Sequence, residues 1–148
     1  MLVRDFMTAK VTTLADTDTL LDASMIFVRN TYRHLPVLRG KQVVGMITEH
    51  DIKKFVPSLL NRITAEDYNQ VLETTPVSRA MTHDPVTVGP DQSMYEAATI
   101  LYNKRVGCLP VVEKGELMGV ISTTDMLKLL VRLLTEQGLV PKKSPTRA

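Results

Sequence analysis

Apolar positions along the chain follow two rhythms. Leu20, Ala23 and Phe27 recur at the spacing of one helical face, and so do Met94, Ala97 and Leu101. Each run opens on a hydroxyl residue with an acid three positions later, Thr19-Leu20-Leu21-Asp22 and Ser93-Met94-Tyr95-Glu96, the capping-box pattern of a helix start. Shorter apolar runs read as strands: residues 11–14, 35–38 and 43–47, then 86–88, 109–112 and 117–121. Gly40 and Gly115 separate the later members of each set, which predicts two hairpins. Pro36 and Pro110 predict strand starts or edges. Val43, Val44, Met46 and Ile47 are nearly continuous apolar, as in a sheet covered on both faces. Second helices are expected from Thr48 and Ser122.

These elements form an internal repeat with an offset of 74 residues. Met7-Thr8 returns as Met81-Thr82, Leu35-Pro36-Val37 as Leu109-Pro110-Val111, Gly45 as Gly119 and Asp51 as Asp125. Each copy reads β-α-β-β-α. A unit this small buries too little surface to be comfortable alone, so the copies are expected to pack together about a pseudo-twofold axis. The predicted fold class is α/β, with tandem repeats. The expected layout is repeat 1 over 1–60, a linker with a short helix over 61–76, repeat 2 over 77–138 and a basic flexible tail over 139–148. Pro57 is expected to end the first copy's last helix near Val56. Thr64-Ala65-Glu66-Asp67 predicts another capping box, opening a helix to about Glu73. The last helix of the second copy is expected to reach about Gln137, capped by Gly138. It carries two apolar stripes, Met126, Leu129, Leu133 and Leu127, Leu130, Leu134, one of which is read as facing a partner subunit.

Composition narrows the classes. The formal net charge of +2 arises in the tail, where Lys142, Lys143 and Arg147 have no acidic neighbour. Residues 1–75 carry nine residues of each sign. No basic, aromatic-rich face points to nucleic acid. No apolar run suits a membrane span, and no secretory signal is visible, so a reducing cytoplasmic location is expected. The single cysteine, Cys108, excludes an intramolecular disulfide and reads as a packed strand residue. The three histidines, His34, His50 and His83, have no metal-ligand spacing. Walker, G-x-G-x-x-G, G-x-S-x-G and H-E-x-x-H motifs are missing from the sequence, so no catalytic residue and no metal are expected.

The chemistry-bearing feature is paired. Gly45-Met46-Ile47-Thr48-Glu49-His50-Asp51 matches Gly119-Val120-Ile121-Ser122-Thr123-Thr124-Asp125. A capping box explains the residue types. The same geometry suits a ligand, because a helix N-terminus attracts phosphate and an acid can hold a ribose diol. Both readings stand on the physics alone.

The repeated M-T-x-x-x-x-T, Leu-Pro-Val and G-x-I-[TS]-x-x-D motifs resemble the CBS domain, and two in tandem resemble a CBS pair, or Bateman module. The resemblance covers about residues 3–134. It implies a pseudo-symmetric pair with two clefts, adenosyl ligands (AMP, ADP, ATP or S-adenosylmethionine) and dimers. By the same resemblance, Asp51 and Asp125 hold ribose hydroxyls. Thr48, Ser122, His50 and Thr124 lie near phosphate, Arg33 and His34 reach toward it, and Thr12 and Val86 frame adenine. Because the second copy has Gly107-Cys108 where the first has Arg33-His34, the clefts are expected to differ, with the more phosphorylated ligand beside Arg33. If His34 and His50 face phosphate, binding should tighten as pH falls through about 6.5.

The expected function is a regulatory CBS-pair protein that senses AMP, ADP or ATP without a required cofactor. It would form a homodimer and act in trans on an unidentified protein target, unless the chain is part of a longer one. The alternatives are a ligand-independent dimerisation scaffold or a sensor of S-adenosylmethionine or NAD.

Overall fold

The computed structural model describes residues 1–56 and 64–141. Pro57 and the basic end of the tail, residues 142–148, lie outside the described residues. The first repeat runs β1 (Leu14–Ala15), α1 (Leu20–Arg29), β2 (His34–Arg39), β3 (Gln42–Thr48) and α2 (Glu49–Phe55). After α3 (Ala65–Thr74), the second continues with β4 (Thr82–His83), α4 (Met94–Lys104), β5 (Cys108–Glu113), β6 (Glu116–Ser122) and α5 (Thr123–Glu136). The architecture is a mixed α/β pair of β-α-β-β-α repeats.

Local chemistry sets most boundaries. Thr19, Thr48, Ser93 and Ser122 each close a complete capping box. Thr64 accepts from the Asp67 amide, but the returning bond is missing among the described residues, so α3 has half the expected box. The predicted helical stripes are the buried ones: Leu20, Ala23 and Phe27 on α1, and Met94, Ala97 and Leu101 on α4. Beyond α5, Gly138 adopts φ +70°, a left-handed end that glycine takes without strain.

The topology departs from the sequence reading at the first strands. Only Leu14–Ala15 pairs with β2, in parallel, and in the second repeat only Val88 bridges to Val111. The residues before them are occupied differently. Thr8 exchanges two backbone hydrogen bonds with Val120 of the second repeat, at 2.9 and 3.0 Å. Reciprocally, β4 of the second repeat pairs antiparallel with β3, Thr82 opposite Met46. Each repeat thus lends its Met-Thr segment to the other's sheet, and the chain crosses back through residues 9–13 and 84–87. Val3 and Met7 accordingly pack in the second core with Leu109, Val111 and Ile121, while Val77 and Met81 join the first with Leu35, Val37 and Ile47.

This exchange explains two motif residues. A Cβ on Gly119 would overlap the Thr8 carbonyl oxygen, and one on Gly45 would overlap the Met81 side chain. The crossing backbone requires glycine at 119, whereas at 45 a flexible side chain sets the limit. The prolines divide on the expectation of strand starts or edges. Pro110 lies on β5, an edge of its two-stranded sheet, but Pro36 is the third residue of β2, a strand between β1 and β3; both are fully buried. A missing N–H is tolerated because the parallel partner pairs only from Val37 onward, so no acceptor faces the proline nitrogen.

Candidate nucleotide clefts

The two crossing segments and the two helix starts frame a pair of clefts between the repeats. The first, about 340 Å³, is bordered by Lys10 and Thr12 on one crossing, by Tyr32, Arg33 and His34 before β2, and by Ser122 and Thr124 at the start of α5. The second, about 240 Å³, is bordered by Asp84 and Val86 on the other crossing, by Thr48 and Asp51 at the start of α2, and by Gly107 and Cys108 before β5. A 74-residue shift converts Thr12 to Val86, Lys10 to Asp84 and Arg33-His34 to Gly107-Cys108, so the clefts are pseudo-symmetric counterparts.

The motif groups are held rigidly. The Thr48 amide donates to Asp51 Oδ2 at 2.9 Å, and the Asp51 amide donates to Thr48 Oγ1 at 3.1 Å. The Ser122 amide and hydroxyl both donate to Asp125 Oδ2, at 2.8 and 3.0 Å. Each carboxylate therefore spends one oxygen on its own helix, and the other accepts no hydrogen bond among the described residues. The capping role and a ligand role are compatible in one side chain.

Eight of the ten residues singled out in the sequence border a cleft: Thr12, Arg33, His34, Ser122 and Thr124 the first, and Thr48, Asp51, Val86 and again His34 the second. His50 is exposed and borders neither, and Asp125 lies one helical position beyond the first. Lys10, Tyr32 and Asp84 were missed. The pairing of Lys10 with Asp84 at the repeat offset was readable, but their place at the cleft mouths depends on the crossing.

His34 lies between the clefts, with its Nε2 about 3.0 Å from where a Gly107 Cβ would be. Burial first, and then the Arg33 charge, hold its pKa below the usual histidine value, while Asp51 pulls the other way. Its ring is neutral at pH 7. Cys108 is buried, and desolvation with a smaller push from Asp125 raises its thiol to about 12. The protonated thiol is a packing group rather than a nucleophile. Among the described residues no cluster of three His, Cys, Asp or Glu could hold a metal ion, and no helix is long and apolar enough to cross a membrane.

A tandem β-α-β-β-α pair with two interrepeat clefts defines a class. The family model described as CBS domain matches residues 3–58 and 77–132, and the chain belongs to the CBS domain family. A CBS domain-containing protein of Dictyostelium discoideum is 31% identical over 137 residues, spanning 90% of this chain and 94% of its own. The solved structure of AcuB from Vibrio cholerae is 30% identical at a TM-score of 0.73, covering 95% of this chain and 98% of that one. The CBS domain pair of protein MJ0100, solved with 5′-methylthioadenosine and S-adenosyl-L-methionine, aligns at a TM-score of 0.73 over 90% of this chain and 98% of its own. At 21% identity, that likeness shows the fold alone.

Proposed function

We propose that this chain is a regulatory CBS pair that binds an adenine nucleotide between its repeats and signals occupancy to a protein partner in trans. It has no catalytic role in this reading and requires no cofactor. The observation that carries the proposal is the first cleft. Lys10 and Arg33 border the same cleft as the start of α5, a 14-residue helix whose positive dipole end adds to their attraction for phosphate. Thr12 is assigned to the adenine, and Ser122 and Thr124 to the phosphate. In the second cleft, the Asp51 oxygen not used in capping is suited to a ribose hydroxyl, and Asp125 takes that role beside the first. Support also comes from the fold, which holds adenosyl compounds in MJ0100.

The protein is proposed to act as a homodimer through α5. Leu127, Leu130, Val131 and Leu134 form an exposed apolar stripe at helical spacing, with Leu127 61% and Val131 63% accessible. A ligand-independent scaffold would use the same stripe, so ligand binding separates the two readings.

Thermal unfolding with AMP, ADP, ATP, NAD and S-adenosylmethionine is the test. A ligand at about 100 times its Kd should add about 2.7 kcal/mol. The gain, measured against each protein's own ligand-free Tm, should shrink in an Asp51→Asn/Asp125→Asn variant, which keeps a carbonyl oxygen for the cap. If none of the five stabilises the wild type, the scaffold reading replaces the sensor. Nucleotide turnover abolished by a point substitution would instead make the protein an enzyme.

A further inference from the structure

The two clefts differ in charge. Lys10 and Arg33 border the first, with Asp125 one helical position beyond it, whereas Asp51 and Asp84 border the second. His34, common to both, is neutral at pH 7 because burial and Arg33 disfavour its charged form. The difference follows from divergence at two equivalent positions, where Lys10 corresponds to Asp84 and Arg33 to Gly107. None of these charges is neutralised inside the protein: Lys10, Arg33, Asp51 and Asp84 enter no ion pair among the described residues.

Three further features separate the clefts. The second is smaller, about 240 against 340 Å³. Its helix, α2, has seven residues against 14 for α5, so its aligned dipole is shorter. A side chain at position 107 is also crowded, because a Cβ there would stand 3.0 Å from His34 Nε2 and the imidazole would have to give way. A phosphate entering the second cleft would meet the Asp84 carboxylate where the first cleft offers Lys10, and no cationic side chain borders it. Like charges oppose binding, and only the start of α2 offsets them there.

We propose that the second cleft takes an adenosyl compound without phosphate groups, a nucleoside or thionucleoside, while the first takes the nucleotide. This rests on the adenine-nucleotide reading above and assigns each cleft its own ligand class. The protein would then report two ligands of one chemical family against each other rather than the concentration of one. Asp84 sits at the mouth of the second cleft with φ +45°, a backbone conformation open to Asp and Asn. Its charge can therefore be removed by Asp84→Asn without straining the chain.

Isothermal titration with ATP and with 5′-methylthioadenosine, separately and in sequence, tests the assignment. In the wild type ATP should fill one site per chain, and 5′-methylthioadenosine should still bind once ATP is saturating. A Lys10→Ala/Arg33→Ala variant should lose roughly tenfold or more in ATP affinity and keep its thionucleoside affinity. Asp84→Asn should make a second ATP site measurable. Two equal ATP sites in the wild type, or thionucleoside fully displaced by ATP, would overturn the assignment while leaving the nucleotide reading intact. Binding of neither probe would overturn both.

Discussion

Gly119 and Gly45 occupy equivalent places, yet substitution should not cost the same at each. An alanine Cβ at 119 meets a backbone carbonyl, whereas at 45 it meets a flexible methionine side chain. Gly119→Ala should destabilise the protein by about 1–3 kcal/mol, and Gly45→Ala by clearly less, measured by equilibrium urea unfolding. Equal costs would mean that the Thr8 segment moves as freely as Met81. His34 gives a second residue-scale prediction. Its pKa is lowered in the folded state, so the unfolded chain protonates first as pH falls through about 6.5. His34 stability is therefore complete above about 6.5 and is lost below it. A His34→Gln variant should show a flatter decline in Tm from about pH 6.5 to 5 than the wild type. Any tightening of phosphate binding by His34 protonation belongs below 6.5 for the same reason, not at it.

At the scale of elements, helix starts were legible because a capping box is a local device. A side chain three residues away satisfies an amide regardless of what packs above it. The box at Thr64 is half made, showing that sequence spacing permits the reciprocal bond without enforcing it. Helix α5 was legible in a different sense. Two stripes were visible, but only packing decided that Met126 and Leu129 turn toward the core while Leu127, Leu130 and Leu134 are left exposed. A Leu130→Glu/Leu134→Glu variant should sediment as a monomer while the wild type sediments as a dimer. A monomeric wild type would remove α5 as an assembly surface. The first strands were legible as extended chain but not as crossings, because apolar alternation does not say which sheet a segment joins.

At the scale of the molecule, the repeat in the sequence is not the unit of packing. Val3 opens the first repeat but is fully buried in the second core. Val3→Ala should cost roughly 1.5–3 kcal/mol for the lost methyl groups and the cavity they leave. Amide exchange should then rise in β5 and β6 rather than in α1, which is nearer in sequence. Exchange rising in α1 instead would contradict the reciprocal arrangement. The exchange also ties the halves together: neither core is complete without a segment of the other, so separated halves should not fold independently.

The sequence by itself determined the duplication, the helix starts, the hairpins and most of the residues around the clefts. All of these depend on spacing within a few residues or on comparing one copy with the other. Only the tertiary structure decided which sheet Thr8 and Thr82 join, why Gly119 must be glycine while Gly45 is less strictly held, and that Lys10 and Asp84 border different clefts. Those outcomes depend on a backbone crossing between distant segments. A one-dimensional pattern marks both ends of such a crossing, but their meeting is decided by the packing of the whole chain.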